Sequence, residues 1–353
     1  MGDTRTGPGG APRRTRAFIG SFTSAGGRGV LAAEWDPDSG ALRVTGHSDA
    51  VADPSFLAPD GDVLYAVSET EEGAAAAFDV AGPTPRPLGA PVSVGASGPT
   101  HLAVVGGHLL TANYTSGSVS VLPRTGDGAL RPLADQVRHE GSGPVTDRQA
   151  GPHAHQVLPD PGGRWVLAVD LGTDSVTISA LDPATGALRP HGVTALRPGT
   201  GPRHLAFHPA GTHAYVLNEL EPTLTVCRWD AEKGALTPLG ETPVVPAGTT
   251  GPAYPSEVVA SPDGRFLWAA VRGADTLAVL ALDADGDTAR LVATVPCGGH
   301  WPRDLTLAPS ARHLYAANER SGDVTWFTVD PDTGVPERTG ALPAPAASCV
   351  VFG

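Results

Sequence analysis

Short runs of alternating apolar and polar residues recur along the chain, separated by clusters of Pro, Asp and Gly, and they always come in the same order. Each unit opens on a proline, passes through one alternating run, turns, and ends a second run on a polar pair. Alternation with period two marks strands that bury one face. The units read PSFLAPDGDVLYAVSE from Pro54, PTHLAVVGGHLLTANY from Pro99, PHAHQVLPDPGGRWVLAVDL from Pro152, PRHLAFHPAGTHAYVLNE from Pro202, PSEVVASPDGRFLWAAVR from Pro255 and PRDLTLAPSARHLYAANE from Pro302. The leading prolines are spaced by 45, 53, 50, 53 and 47 residues. A third run follows each pair, as in VTISAL at Val176 or LTVCRW at Leu224, and leads into an Asp/Gly turn such as DPATGAL at Asp182. Four short antiparallel strands at a period near 50 predict the blade of a propeller.

Six units are complete, and the chain ends supply a seventh. SCVVFG at Ser348 stands where a first strand is due, while AFIGSFT at Ala17 and GVLAAEWDPDSGAL at Gly29 supply the remaining three. The expected fold is therefore all-β, a seven-bladed β-propeller of four-stranded antiparallel blades over residues 17–353. Its ring closes by N- and C-terminal strands that share one blade, which leaves no open sheet edge between the first and last blades. Residues 1–16, biased to Gly, Pro, Thr and Arg, have too little apolar surface to order themselves and are expected to be a flexible tail.

Composition agrees. Glycine (45) and proline (35) exceed a fifth of the chain, as many tight turns require. No run of about 20 apolar residues occurs, and Arg13, Arg14 and Arg16 are not followed by an apolar stretch, so neither a membrane span nor a secretory leader is expected and the reading is cytoplasmic. The three cysteines, Cys227, Cys297 and Cys349, lack any CxxC spacing and read as reduced, buried thiols. A net charge of −13 argues against nucleic acid and anionic membranes as partners. It leaves room for a small anionic ligand, because screening confines surface fields to about 8 Å at physiological salt. A monomer or weak homodimer is expected.

In an antiparallel hairpin the start of one strand lies beside the end of the next, so the residues after each leading proline and those ending each second run share one face of the disk. If the first strand lines the central channel, they converge on one mouth. Aligned on the turn glycines, Arg203 corresponds to Ser55, Thr100, His155, Ser256 and Arg303, and Glu219 to Glu69, Tyr114, Leu171, Arg272 and Glu319. The mouth then collects His153, His155, Arg203, Arg272, Arg303, Glu219 and Glu319, with Asn113, Tyr114, His101, His204, Asn218, Glu257 and Asn318 close by. Arginine forks pair bidentately with carboxylate or phosphate, and a carboxylate or imidazole can move a proton. Hydrolysis of a cyclic ester needs those parts: a base for water, donors facing the oxyanion and an acid for the leaving alkoxide. No GxSxG elbow occurs, which disfavours an acyl-enzyme.

Each assignment has a structural alternative. His153 and His155, two apart, would face one side of a strand and resemble a metal pair, but no third ligand has suitable spacing, so no metal is expected. For Glu219 the alternative is turn capping or a salt bridge to Arg203, and for the arginines it is ion pairing between blades. Trp165, Tyr215, Trp268 and Tyr315 read as packing between blades.

NYTSGSVSV at Asn113, GPHAHQV at Gly151, GPRHLAFHP at Gly201, YVLNEL at Tyr215, SEVVASPDGRFLWAAVRG at Ser256 and WPRDLTLAPSARHLYAANERSGDVTWF at Trp301 together resemble the lactonase family of seven-bladed propellers. That family includes propeller-type 6-phosphogluconolactonases and carboxy-muconate lactonizing enzymes. The resemblance runs from about Ala17 to the C-terminus. It implies a metal-independent, cofactor-free site in the central mouth, built from a histidine, a glutamate and arginines. By motif these are His155, Arg203, Glu219 and Arg272, the last following Val271 where the family has an asparagine. His153, Asn113, Tyr114, Arg303, Glu319 and His101 are the expected substrate contacts. The expected activity is hydrolysis of a sugar-acid lactone, 6-phosphogluconolactone first, with Glu219 transferring the proton and His155 assisting. The alternatives are a muconate-type cycloisomerase and a non-enzymatic interaction propeller.

Overall fold

The computed structural model describes residues 16–353. Seven antiparallel sheets surround an axis, six of four strands and one of five. In each, the strand that follows the leading proline is innermost, and innermost strands of neighbouring blades pack against one another. The blade that carries Glu219 runs outward through Pro202–Phe207, His213–Asn218, Thr223–Asp230 and Ala235–Pro243. The five-stranded sheet is the one that begins at Leu57–Asp60. Its outer position is split into Arg86–Pro87 and Val92–Ser93, both paired with Ala74–Asp79. Four prolines between residues 83 and 91 remove the ladder donors that a continuous outer strand needs.

Closure is as the repeat requires. The C-terminal strand Ala347–Phe352 is innermost and pairs with Arg16–Ser21, in the register Ala17↔Phe352, Phe18↔Val351 and Ile19↔Val350. Val30–Trp35 and Leu42–Ser48 complete that blade. Arg16 already lies opposite Glu34 in the sheet, so the first strand takes one residue of the expected tail. The rest of that tail, residues 1–15, lies outside the described residues.

The core sits between the blades, because each sheet buries both faces against its neighbours. Tyr215, Leu217, Val258 and Leu267 belong to one such layer. The repeated aromatics are buried there and spend their polar tips on turns of the adjoining blade. Trp165 Nε1 donates to the Ala231 carbonyl at 2.9 Å, Trp268 Nε1 to Gly334 at 2.7 Å, and Tyr215 Oη to Gly286 at 3.2 Å. A buried Trp or Tyr needs such a partner. The three cysteines are buried and unbridged, and burial pushes the Cys227 and Cys297 thiols up to about 12 and about 11.

One irregularity of the innermost strands positions the site. The pairing between the first two strands of a blade skips a residue beside its leading end: Thr100, His155, Arg203 and Arg303 each fall in the gap, as do Ser256 with Glu257, and Ser348 does so at the terminal seam. A bulge gives one strand an extra residue and re-aims its side chain. Two successive side chains can thereby lean toward the axis where strict alternation would send only one.

Candidate active site

Glu219 follows the last residue of His213–Asn218, and its backbone N–H donates to the Gly201 carbonyl at 2.7 Å, tying it to the start of the innermost strand. Three guanidiniums converge on its carboxylate. Arg272, closing Phe266–Arg272 of the next blade, donates from Nη2 to Oε2 at 2.7 Å. Arg148 donates from Nη2 to Oε1 at 2.7 Å. Arg203 Nε lies 3.2 Å from Oε2, close enough for an ion pair but not aligned as a hydrogen bond, and its Nη1 is spent on the Ser256 carbonyl. Burial alone would raise the Glu219 carboxyl, but Arg272, Arg203 and Arg148 hold it down at about 2. Burial, and then the neighbouring Arg272, lower Arg203 to about 9. The pocket thus carries an excess of desolvated positive charge, which an anion would relieve.

Arg148 comes from the loop between Asp135–Arg138 and Ala154–Pro159. The loop is pinned by its neighbour Gln149, fully buried, whose Oε1 accepts from the Val145 N–H at 3.1 Å and whose Nε2 donates to the Leu171 carbonyl at 2.8 Å. Arg148 Nη2 also reaches the Tyr114 hydroxyl at 3.4 Å. The Tyr114 ring stacks on His153 at 4.4 Å between centroids and meets His155 edge-on at 5.4 Å. On the other side of the axis Arg303 lies 3.4 Å from Glu319 and 3.6 Å from Glu69, with its guanidinium over the Phe22 ring at 4.8 Å. Glu69 accepts from the Ser55 hydroxyl, and burial raises its carboxyl. His155, Arg203 and Arg303 line one cavity, so the structure brings the distant motif residues to one mouth.

A second layer lies one residue further along each innermost strand: Phe56, His101, Gln156, His204, Glu257, Asp304 and Cys349. Several of these side chains accept from the backbone of the next blade. The Leu205 N–H donates to Gln156 Oε1 at 2.7 Å, the Val350 N–H to Asp304 Oδ2 at 2.8 Å, and the Val157 N–H approaches His101 Nδ1 at 3.5 Å. Polar side chains at a buried inward position thus stitch neighbouring blades together.

Several expected substrate contacts need correction. Asn113 is fully buried and faces into its own blade, its Nδ2 donating to Ser118 and Ser120 at 3.1 and 2.9 Å. Asn218 and Asn318 repeat this clamp with Thr223/Thr225 and Asp323/Thr325. The repeated geometry follows from alternation, since the residue before the mouth position points to the other face. Asn113→Ala is expected to cost about 1–3 kcal/mol of stability and leave KM unchanged, which denaturant unfolding and steady-state kinetics will check. His101 lies in the second layer, against Phe56 at 4.0 Å, not at the mouth. His153 precedes its strand and His155 is bulged, so the argument that they share a face fails. His153 Nδ1 meets the Tyr114 carbonyl at 2.9 Å, and His155 Nδ1 meets His204 Nε2 at 3.2 Å. Among the described residues no three His, Cys, Asp or Glu side chains are grouped to hold a metal ion.

Arg148 and Asp304 were not among the expected site residues, while His204 and Glu257 were placed close to the mouth and given no role. Arg148 has no counterpart in the repeat, and the step that holds it, 53 residues from Pro99 to Pro152, equals that from Pro202 to Pro255 and gave no signal. For the second layer the signal was legible: PRHLAF, PSEVVA and PRDLTL each place a His or a carboxylate inside a buried run.

The fold is a seven-bladed propeller with a buried Arg/Glu/His pocket on its axis. Residues 16–352 match the family described as Lactonase, 7-bladed beta-propeller, and the chain belongs to that family. It is 31% identical over 346 residues to a 6-phosphogluconolactonase of Bacillus subtilis, covering 95% of this chain and 97% of that one. Among solved structures, a protein from Lactobacillus plantarum superposes with a TM-score of 0.90 at 31% identity, covering 96% and 99%. The periplasmic gluconolactonase of Pseudomonas aeruginosa does so with 0.87 at 28%, covering 96% and 98%.

Proposed function

We propose that the chain hydrolyses a sugar-acid lactone bearing an anionic group, with 6-phosphogluconolactone the first candidate. The observation that carries this reading is the Glu219 carboxylate on the forks of Arg148 and Arg272 beside Arg203. Those forks already hold one internal anion, and a phosphate with more acceptor oxygens can exchange for it. The exchange has a chemical consequence. A carboxylate held at about 2 is a weak proton acceptor, but once the arginines turn to the substrate its basicity returns toward the ordinary value of 4.5. Glu219 then takes a proton from the attacking water, and the arginines face the developing oxyanion. His155 serves the leaving alkoxide. Substrate binding and base activation are thereby one event. The name carried by the Bacillus subtilis relative supports the phosphorylated substrate.

The test is turnover of 6-phosphogluconolactone, unphosphorylated gluconolactone and a carboxy-muconate substrate, with and without chelator, by wild type and Arg148→Ala. The phosphorylated lactone should be preferred, and activity should persist in chelator. Arg148→Ala should raise KM for it about tenfold, the loss of one charged hydrogen bond, with less effect on the neutral lactone. Equal use of both sugar lactones would remove the anion from recognition. Activity confined to the muconate would replace hydrolysis with cycloisomerisation.

A further inference from the structure

Behind His155 the second layer changes character. His101 and Gln156 bond backbone of the next blade, but from His204 to Asp304 the side chains also bond one another. His155 Nδ1 lies 3.2 Å from His204 Nε2, and His204 Nδ1 lies 2.6 Å from Glu257 Oε2. Glu257 shares a further hydrogen bond with Asp304. All four are buried, and they line one narrow cavity with Arg203 and Ser348. Glu257 Oε1 accepts locally from the N–H of Val258 at 2.9 Å, and blade stitching explains the bond from Val350 N–H to Asp304. It does not call for an imidazole–imidazole–carboxyl–carboxyl line that ends at a mouth histidine.

We propose that Asp304, Glu257, His204 and His155 form a proton-delivery line that protonates the leaving alkoxide oxygen as the lactone ring opens. The proposal rests on the lactone-hydrolase reading of the mouth. As the carbon–oxygen bond of the tetrahedral intermediate breaks, the alkoxide takes the proton from His155 Nε2. His155 Nδ1 takes the one on His204 Nε2, and His204 Nδ1 takes that of the Glu257 carboxyl. Glu257 is left as a carboxylate that accepts from both Asp304 and His204, so the charge left behind is solvated by fixed donors. The attacking water's other proton sits on Glu219, which returns it to solvent, and solvent reloads the line at His155 Nε2, which passes its Nδ1 proton back to His204 Nε2 as His204 Nδ1 returns its own to Glu257. The sum is lactone plus water giving the open hydroxy acid. His204 and Glu257 act through His155 and are positioning residues in this scheme.

The electrostatics agree with it. Burial, then Arg203, push the His155 and His204 imidazoles well below their ordinary value, so neither is expected to carry a resting positive charge. Burial raises Glu257 to about 7 against the pull of Arg203 and the Val258 N–H, and burial with the adjacent Glu257 raises Asp304 well above the carboxylate range. The transferable protons therefore reside on the carboxyls. The charged and titratable groups facing the line are Arg203, Arg272 and Arg303 at the mouth, Glu219 beyond them, His101 beside His204, and Cys349 beside Asp304. A substrate anion on the arginines adds negative charge and favours the loaded form. Glu219 held low and Glu257 held high are two carboxylates whose environments part their roles into base and acid.

The experiment is the pH profile of kcat for wild type and Glu257→Gln, with thermal unfolding as a fold check, together with a proton inventory of the wild type in mixtures of light and heavy water. The loaded line requires protonated Glu257, so wild-type kcat should fall as pH rises through a value at or above about 7. Glu257→Gln should lower kcat about 10²-fold with KM little changed, and it should lose that alkaline limb. The wild-type inventory should be curved, because several protons move together. A folded variant that keeps the limb, or keeps wild-type kcat, overturns the proposal. Should the variant not fold, a linear inventory overturns it and a curved one sustains it. Wild type that turns over no lactone would instead sink the reading of the mouth itself.

Discussion

Glu219→Gln is expected to lower kcat by roughly 10²- to 10⁴-fold, the range for loss of a positioned proton-transfer group, while KM for an anionic lactone stays level or falls. The second half of the result follows from the three arginines, which lose their internal competitor and remain free for the substrate. Stability should fall, because a buried ion pair broken on one side leaves uncompensated charge; about 3 kcal/mol is the scale. The acid dependence supplies a control. Glu219 sits at about 2 in the fold against 4.5 as its ordinary value, so its contribution is complete above about pH 4.5 and fades as pH drops toward 2. Wild-type Tm should decline across that window, and this component should be missing in the variant. Unchanged turnover in a folded variant would remove Glu219 from proton transfer. A raised KM would show that its carboxylate does not compete with substrate.

Deleting residues 348–353 is expected to abolish the native fold. The segment carries most of the innermost strand of the closing blade, with Cys349 and Val350 fully buried. Without it Arg16–Ser21 becomes an open edge, and Phe18 and Ile19 lose their cover. An exposed apolar edge strand templates association. Asp304 also loses the Val350 N–H, so the damage reaches the axis. Size-exclusion chromatography, dye binding and thermal unfolding should report an expanded or aggregated species. A monomer with wild-type Tm would mean that the ring does not depend on the shared blade.

His155, Arg203, Glu219 and Arg272 could be placed at one mouth before any coordinates because the blade period fixes which residue of each unit reaches the axis. That inference fails one residue away. Asn113 stands beside Tyr114 in sequence, yet one turns into the blade and the other toward the pocket. The bulge at His155 likewise breaks the alternation on which a shared face for His153 and His155 was argued. Arg148 lies outside the repeat, so no alignment of blades could find it.

Hydrophobic alternation, turn residues and a period near 50 determined the number of blades, the closure and the end of each strand that carries polar groups, because these depend on short stretches of chain. Which of those groups touch depends on curvature and bulges acting between residues about 50 positions apart. Only the closed ring brings Arg148 and Arg272 onto Glu219 and His204 onto Glu257. Burial raises both carboxyls, and the arginines around Glu219 part them, one held near 2 and the other near 7.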